Sequence, residues 1–351
     1  MTILLTGGAG YIGSHTTVLL MQAGLHVCVL DNFSNSEQIV LERIARITGK
    51  PPSFVEADVC NTGAVADALR QYEVHAVIHF AGLKAVGESA TQPIDYYANN
   101  VQGTISLLQA MQSSVVKTLV FSSSATVYGN PQYLPIDESH PTSATNPYGR
   151  TKLHIEEMLA DVSRSDPAWR IACLRYFNPV GAHESGLIGE NPRGVPNNLM
   201  PFIAQVASGR RPHLQVFGND YPTLDGTGVR DYIHVMDLAE GHLAALKFMD
   251  AKRPADKAPA QGLSKYSVFN LGTGNGYSVL DMVAAMKEAS GRPLPYEFGP
   301  RREGDVAVCY ADPEKAKTGL GWVARRNLAD MCKDLWNWQS GNPNGYSAAP
   351  K

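Results

Sequence analysis

A chain of 351 residues with 44% hydrophobic content buries one large core or two smaller ones, which argues against disorder and suits a two-lobed enzyme. A formal net charge of −3, a pI near 6.4 and the lack of any long like-charge run leave no electrostatic footprint for nucleic acid or an anionic membrane. The five cysteines (Cys28, Cys60, Cys173, Cys309, Cys332) are odd in number, widely spaced and free of Cys-x-x-Cys, which argues for a reducing compartment and against a disulfide framework or structural zinc.

The start, Met1 to Leu5, lacks a basic leader region, and no apolar run reaches the length of a membrane span, so a cytoplasmic protein is expected. Thr2 to Thr6 is a short apolar run stopped by Gly7-Gly8-Ala9-Gly10-Tyr11-Ile12-Gly13. Ile12, Leu19, Leu20 and Ala23 then recur at helical spacing until Gly24, and His26 to Leu30 resembles a buried parallel strand with Asp31 at its carboxyl end. This is one βαβ unit. Gly7, Gly10 and Gly13 would let the backbone approach a pyrophosphate at the helix N-terminus, and Asp31 would accept hydrogen bonds from the adenosine ribose. Glycine-rich turns also merely connect elements, but here the preceding strand, the following helix and the acid about 20 residues on occur together. A carboxylate repels a 2′-phosphate, and no Lys or Arg follows before Arg43, so NAD is expected rather than NADP.

The alternation continues with a strand at Ser53 to Ala57 ending at Asp58, a helix near Thr62 to Gln71 capped by Asn61, and a strand at Val74 to Phe80. His75 and His79 stand about 13 Å apart in a strand and read as structural, not as shared metal ligands. Ala81-Gly82-Leu83-Lys84 follows at a strand's carboxyl end, where doubly wound sheets place ligands. Lys84 is therefore either a contact to cofactor or substrate phosphate, or an ordinary surface lysine. Pro93 to Met111 reads as one long helix, and Thr118 to Ser122 as a strand delivering Ser122, Ser123 and Ser124 to the same edge. Pro147 suits the first turn of a helix, so Tyr148 and Lys152 fall at i and i+4 on one face. Such a pair also arises by chance in many helices. If functional, a cation about 5 Å away at an effective dielectric of about 20 favours the phenolate by roughly 3 kcal/mol, or about two pK units, bringing it near neutrality. With Arg170 to Tyr176 as a further strand, the steps predict an α/β fold with a doubly wound parallel sheet.

The glycine turn, the serine strand end and Tyr148-x-x-x-Lys152, in that order, resemble the extended short-chain dehydrogenase/reductase superfamily. Stretches His79 to Ser89, Leu174 to Ala182, Pro196 to Pro201 and Gly228 to Val235 are similar to the UDP-glucose 4-epimerase family over nearly the whole chain. Ala251 to Gly262, rich in Pro and Lys, departs from many relatives and reads as a surface insertion. The resemblance implies a Rossmann-type NAD domain at 1–176 and a smaller, mainly UDP-sugar-binding α/β lobe at 177–345, some segments returning to the first domain. It implies Tyr148 as the base, Lys152 lowering its pKa and touching the nicotinamide ribose, and Ser124 aiding proton transfer. By the same matching Gly7, Gly10, Tyr11, Ile12, Gly13, Asp31, Asn32, Asn35, Ser36, Asp58, Val59, Phe80, Ala81, Lys84, Asn99, Ser122 and Tyr176, with Tyr148 and Lys152, hold NAD. Lys84, Ser124, Tyr148, Phe177, Asn178, Asn198, Leu199, Phe217, Arg230, Tyr232, Arg302, Asp305 and Cys309 match positions that hold the UDP-sugar. Taken without that likeness, Arg301-Arg302-Glu303 would be a solvated charge cluster, whereas paired donors of arginine suit a diphosphate.

The reaction so implied is oxidation of the sugar 4-hydroxyl to a transient 4-keto sugar with bound NADH, then hydride return to the other face. It interconverts UDP-glucose and UDP-galactose without net use of NAD. A small residue at Cys309, beside the sugar's C2 substituent in that family, extends the expectation to UDP-GlcNAc and UDP-GalNAc; Tyr310 would close the gate if the register slipped by one. A dehydratase would need acids just before Val127-Tyr128-Gly129, where this chain has Ala125 and Thr126. A non-catalytic NAD sensor would not need Ser124, Tyr148 and Lys152 intact. Relatives usually form homodimers through helices matching Asp95 to Met111 and Tyr148 to Asp161.

Overall fold

Short apolar runs rich in Val, Ile and Leu become strands, those inside the large sheet buried on both faces and the one at its Ser53–Glu56 edge only half-buried. They are β1 (Thr2–Thr6), β2 (His26–Asp31), β3 (Ser53–Glu56), β4 (Val74–His79), β5 (Thr118–Ser124) and β6 (Arg170–Tyr176). The chain continues through β7 (Asn178–Val180), β8 (Leu214–Phe217), β9 (Val229–His234) and β10 (Tyr266–Leu271). β11 (Gly276–Ser278), β12 (Tyr296–Gly299) and β13 (Val308–Cys309) follow. The computed structural model describes residues 1–250, 266–302 and 304–346, so the insertion expected at Ala251 to Gly262 lies outside the described residues.

A seven-stranded sheet runs β10-β6-β5-β4-β1-β2-β3 with every pairing parallel. Because side chains alternate across a strand, Ile3, Leu5, Val29, Ile78 and Val120 enter one core while Leu4, Cys28, Leu30, Val77 and Leu119 enter the other. Helix Tyr11–Gln22 packs on helix Val235–Asp250, and helix Thr62–Gln71 on helix Gly103–Ser113, covering the sheet. Strand order reverses between β1 and β4, the switch point at whose carboxyl ends open α/β sheets place their ligands. The smaller lobe holds a four-stranded sheet, in which β9 pairs with β7, β11 and β13, and a parallel β8–β12 pair.

Local structure agrees with several expectations from the sequence. Asn61 caps its helix, its side chain accepting from the Ala64 N–H at 3.1 Å. His75 Nδ1 receives the Thr2 N–H at 3.2 Å, and His79 lies between Thr6 Oγ1 at 2.6 Å and Thr104 Oγ1 at 3.0 Å. Both are structural. Two readings are corrected. β5 runs on to Ser124, since Ser123 and Ser124 pair with Arg175 and Tyr176 of β6. The single helix read from Pro93 to Met111 is Pro93–Tyr96, then a π-helical stretch Tyr97–Gln102, then Gly103–Ser113. A π-helical turn shifts the phase of the side chains that follow, but Tyr97–Gln102 holds only Val101 as a branched aliphatic residue, so there is little apolar pattern in which the shift can show.

Candidate active site

The glycine turn is shaped by close backbone approach. Gly7 has φ +69°, and a Cβ there would meet the Ala81 backbone nitrogen at 2.7 Å, while a Cβ on Gly13 would meet the Gly7 carbonyl at 2.4 Å. Gly10 stands at the N-cap of helix Tyr11–Gln22, having no side chain with which to cap the helix's first N–H groups. Asp31, at the end of β2, accepts from Ala9 N at 3.0 Å, Phe33 N at 2.9 Å and Ser36 Oγ at 2.8 Å. A carboxylate has about four acceptor sites, so capacity remains for a ribose hydroxyl. Asn32 Nδ2 donates to Asp58 Oδ2 at 2.8 Å, Val59 is buried beside them, and Asn35 is exposed in the same loop. Tyr11 donates its hydroxyl to the Gly181 carbonyl at 2.7 Å, joining this turn to the chain beyond β7. An open helix terminus, a small-residue turn and an acid with spare acceptors together fit a dinucleotide.

Ser124 stands at the end of β5, with its Oγ accepting from Thr126 N at 3.2 Å and Thr126 Oγ1 at 3.0 Å. Its own hydrogen is therefore left for another acceptor. Tyr148 lies in the first turn of helix Pro147–Ser165, capped by Asn146 accepting from Gly149 N at 2.8 Å. Lys152, 5% exposed, donates to the Ser122 carbonyl at 2.6 Å. Its ammonium lies 4.8 Å from the Phe121 ring centroid and 5.9 Å from that of Tyr148. The phenol's environment corrects the expectation of a phenolate near neutrality in the protein alone. Burial raises the Tyr148 pKa above its ordinary 10.0, offset only in part by a hydrogen bond with Ser124 and by the charge of Lys84. Burial also lowers Lys152 to about 8, despite nearby Glu156. The attraction of an i, i+4 pair is outweighed here by the cost of desolvating both ions.

Lys84 pairs with Glu190 at 2.9 Å, and Asn198 Nδ2 reaches the same carboxylate oxygen at 3.4 Å, linking the β4 edge to the start of helix Leu199–Ala207. Asn99 donates to Asn100 Oδ1 at 2.9 Å within the π-helical stretch. Asn100, which sequence reading passed over, also accepts from Leu83 N at 2.8 Å and donates to the Leu83 carbonyl at 3.0 Å and to Thr151 Oγ1 at 3.1 Å. It thereby ties the Lys84 turn to the Tyr148 helix. Phe80 lies 4.8 Å from the His242 ring, and the Tyr176 hydroxyl bonds His242 Nε2. Beneath the serines, Ser123 bonds Glu156, which Arg175 grips from Nε at 3.0 Å.

Arg230, Tyr232, Asn178, Asp305 and Cys309 gather on or beside β9, while Arg302 stands on Phe217 of β8. Arg230 pairs with Asp305 at 3.6 Å, and Arg302 lies 4.0 Å over the Phe217 ring. Arg230 is partly buried, whereas Arg302 keeps the solvent exposure expected of its charge cluster while lying on the ring. Asn178 Nδ2 donates to the Asp231 carbonyl at 2.9 Å, and Tyr232 is buried beside it on β9. Cys309 registers with Arg230 and packs in the cluster of Phe177, Tyr128 and Ile136. A Cβ on Gly276 would meet Tyr310 Cδ1 at 3.6 Å, so Tyr310 lies toward β11. Glu190 and Arg193, also passed over, lie in an irregular segment whose sequence carries no periodic signal; only the fold brings them to the first lobe.

A family model described as GDP-mannose 4,6 dehydratase matches residues 4–335. The UDP-glucose 4-epimerase of Bacillus subtilis (strain 168) is 57% identical over 349 residues, covering 99% of this chain and 100% of that protein. A Stenotrophomonas maltophila UDP-glucose 4-epimerase solved with NAD and formylated UDP-arabinopyranose superposes with a TM-score of 0.93 at 51% identity, over 98% of this chain and 99% of that one. The Bifidobacterium longum enzyme in complex with NAD+ and UDP gives 0.92 at 50% identity, over 98% and 100%. With its glycine turn, Ser124, Tyr148 and Lys152 at one sheet edge, the chain belongs to this family of extended short-chain dehydrogenase/reductases and, within those relationships, to the UDP-glucose 4-epimerase family.

Proposed function

We propose that the protein interconverts UDP-glucose and UDP-galactose by inversion at C4, as an NAD-dependent isomerase. The observation that carries this is the grouping of Ser124, Tyr148, Lys152 and Lys84 at the carboxyl edge of the sheet, beside the uncapped helix that suits a dinucleotide. NAD, when bound, supplies the oxidant that turns the sugar alcohol into a 4-keto sugar and the reductant that restores it. The chain's own residues orient the sugar and move its proton. Tyr148 takes the proton of the 4-hydroxyl, Ser124 offers the hydrogen bond that relays it, and the nearby lysine cations favour the phenolate. Asp31, Asn32 and Asp58 hold the adenosine end, with Lys84, Asn99 and Tyr176 nearer the reacting end. Arg230 and Arg302 bind the diphosphate, with Asn178, Asn198 and Leu199 beside the sugar and nucleotide. The lobes divide at about residue 176, and the working form is a cytoplasmic homodimer built on the Asp95 to Met111 and Tyr148 to Asp161 helices. Among the described residues no helix is long and apolar enough to cross a membrane. Denaturing purified protein should release NAD, and UDP-galactose should be converted to UDP-glucose; a protein that neither contains nor binds dinucleotide defeats this reading.

The same site is read as accepting UDP-GlcNAc and UDP-GalNAc. Support comes from Cys309, which packs beside Phe177 and leaves less bulk than a tyrosine would, with Tyr310 turned toward Gly276. Overfilling a packed site costs about 1–3 kcal/mol, so Cys309→Tyr should depress turnover of the N-acetylated pair roughly five- to two-hundred-fold while sparing UDP-galactose. Wild-type protein active on UDP-galactose but inert to UDP-GalNAc overturns this extension. A dehydratase reading is disfavoured by Ala125 and Thr126, neither of which supplies a carboxyl beside Ser124.

A further inference from the structure

We propose that Arg193, reaching from the second lobe, clamps the Phe33–Ser36 loop beside Asp31 and thereby slows release of the dinucleotide; this rests on the NAD reading above. The Arg193 guanidinium donates to three carbonyls of that one loop: Ser34 from Nη1 at 2.5 Å, and Phe33 and Ser36 from Nη2 at 3.0 Å each. To present three carbonyls to one planar fork the loop must curl, and Phe33 adopts φ +54°, a left-handed conformation costly for a bulky residue. From the inner side Asp31 holds Phe33 N and Ser36 Oγ, and Asn32 Oδ1 accepts from Ser34 N at 3.0 Å. The strained loop is thus gripped on one side by the ribose carboxylate and on the other by Arg193.

The clamp stands on a fixed base. Asn191 Nδ2 donates to Glu37 Oε1 at 2.7 Å, a second tie across the same gap. The preceding Glu190 carbonyl accepts from Trp338 Nε1 at 3.2 Å, and the Gly189 backbone bonds the Tyr346 hydroxyl through both its N–H and its carbonyl. Trp338 is 1% exposed, so the segment is fastened to the body of the protein. Any opening of the loop that frees the adenosine end must break charge-assisted hydrogen bonds to Arg193. Folding thus brings a cation to the adenosine loop from far along the sequence. Its two terminal nitrogens are already engaged by carbonyls, so its role is to hold the loop and not to recruit a 2′-phosphate.

The test compares NAD release from wild-type, Arg193→Ala and Arg193→Lys holoprotein, chased with excess unlabelled NAD after loading with labelled NAD. Release from Arg193→Ala should be about tenfold faster, the equivalent of 1.4 kcal/mol, with Arg193→Lys between the two because an ammonium cannot fork to three carbonyls. The thermal midpoint of nucleotide-free Arg193→Ala should match that of wild type, and activity lost on dilution should return when NAD is added. Wild-type retention with unchanged release from Arg193→Ala overturns the clamp alone. Faster release accompanied by an equal loss of folded nucleotide-free protein, or weakened NADP binding with NAD release unchanged, overturns it too. A wild-type protein that never holds dinucleotide overturns the NAD reading and the clamp with it.

Discussion

At the scale of single residues, burial outweighs pairwise attraction at Tyr148 and Lys152, whereas the exposed Lys84 is held in its charged form by Glu190. Removing the Tyr148 hydroxyl tests its part directly: Tyr148→Phe should keep the fold and the bound NAD while turnover falls by roughly 10²–10⁴-fold. Steady-state assays on protein of verified NAD content check this, and near wild-type turnover would remove the phenol from the chemistry. Lys152 leaves a separate thermodynamic mark. Its folded-state pKa is pulled down to about 8 from an ordinary 10.5 by burial. Between those values the unfolded chain holds more protons, so this lysine makes stability rise with pH over that window, and its penalty is full below it. In nucleotide-free protein, denaturant titrations should therefore show wild type gaining on Lys152→Met from pH 8 to 10.5; a constant difference would mean that Lys152 is not desolvated. The Tyr148–Lys152 pairing was legible because i, i+4 spacing follows from one proline-led helix. The influence of Lys84 on the phenol was not, since it depends on how a turn after β4 approaches a helix more than sixty residues later.

At the scale of elements, alternation within short apolar runs made the parallel sheet legible, and the cap at Asn61 followed from its residue type. The π-helical stretch was hidden because its polar sequence, with Val101 the one branched aliphatic residue, offers little apolar pattern in which a phase shift can be seen. Asn100 depends on that turn. Replacing it with alanine leaves the Leu83 N–H and carbonyl and the Thr151 hydroxyl without their partner. With about 1–3 kcal/mol for each buried group left unsatisfied, Asn100→Ala should cost at least about 2 kcal/mol in chemical denaturation. Asn61→Ala, which removes a solvent-side cap, should cost only about 1 kcal/mol. Equal losses from the two would show that the partners of Asn100 are not left unsatisfied when it is removed. The second lobe was harder to foresee, because its short strands are joined by irregular segments, and Cys309 reaches Arg230, and Arg302 reaches Phe217, only through long-range pairing.

At the scale of the whole molecule, three buried histidines from different elements make the fold sensitive to acid. Burial lowers His15 and His79 to about 3 and His242 to about 4, against an ordinary 6.5. Each binds its proton more readily in the unfolded chain, so its contribution is present above pH 6.5 and is lost as pH falls toward 3–4, with a limiting slope of roughly 1.4 kcal/mol per pH unit. Thermal midpoints of nucleotide-free protein should drop steeply below pH 6, and His79→Gln should shallow that drop; unchanged slopes would mean that His79 charges in place. The outermost strand of the large sheet has a consequence in time. β10 completes the β6 edge, yet the chain emerges from residue 176 to residue 266 before that strand exists. At about 5–20 residues per second, the nascent β6 edge waits about 5–20 s with its backbone groups uncovered. Translation speed through the second lobe then governs how long an adhesive edge is presented to neighbouring chains, so slower codons in that interval should lower soluble yield without altering a single residue.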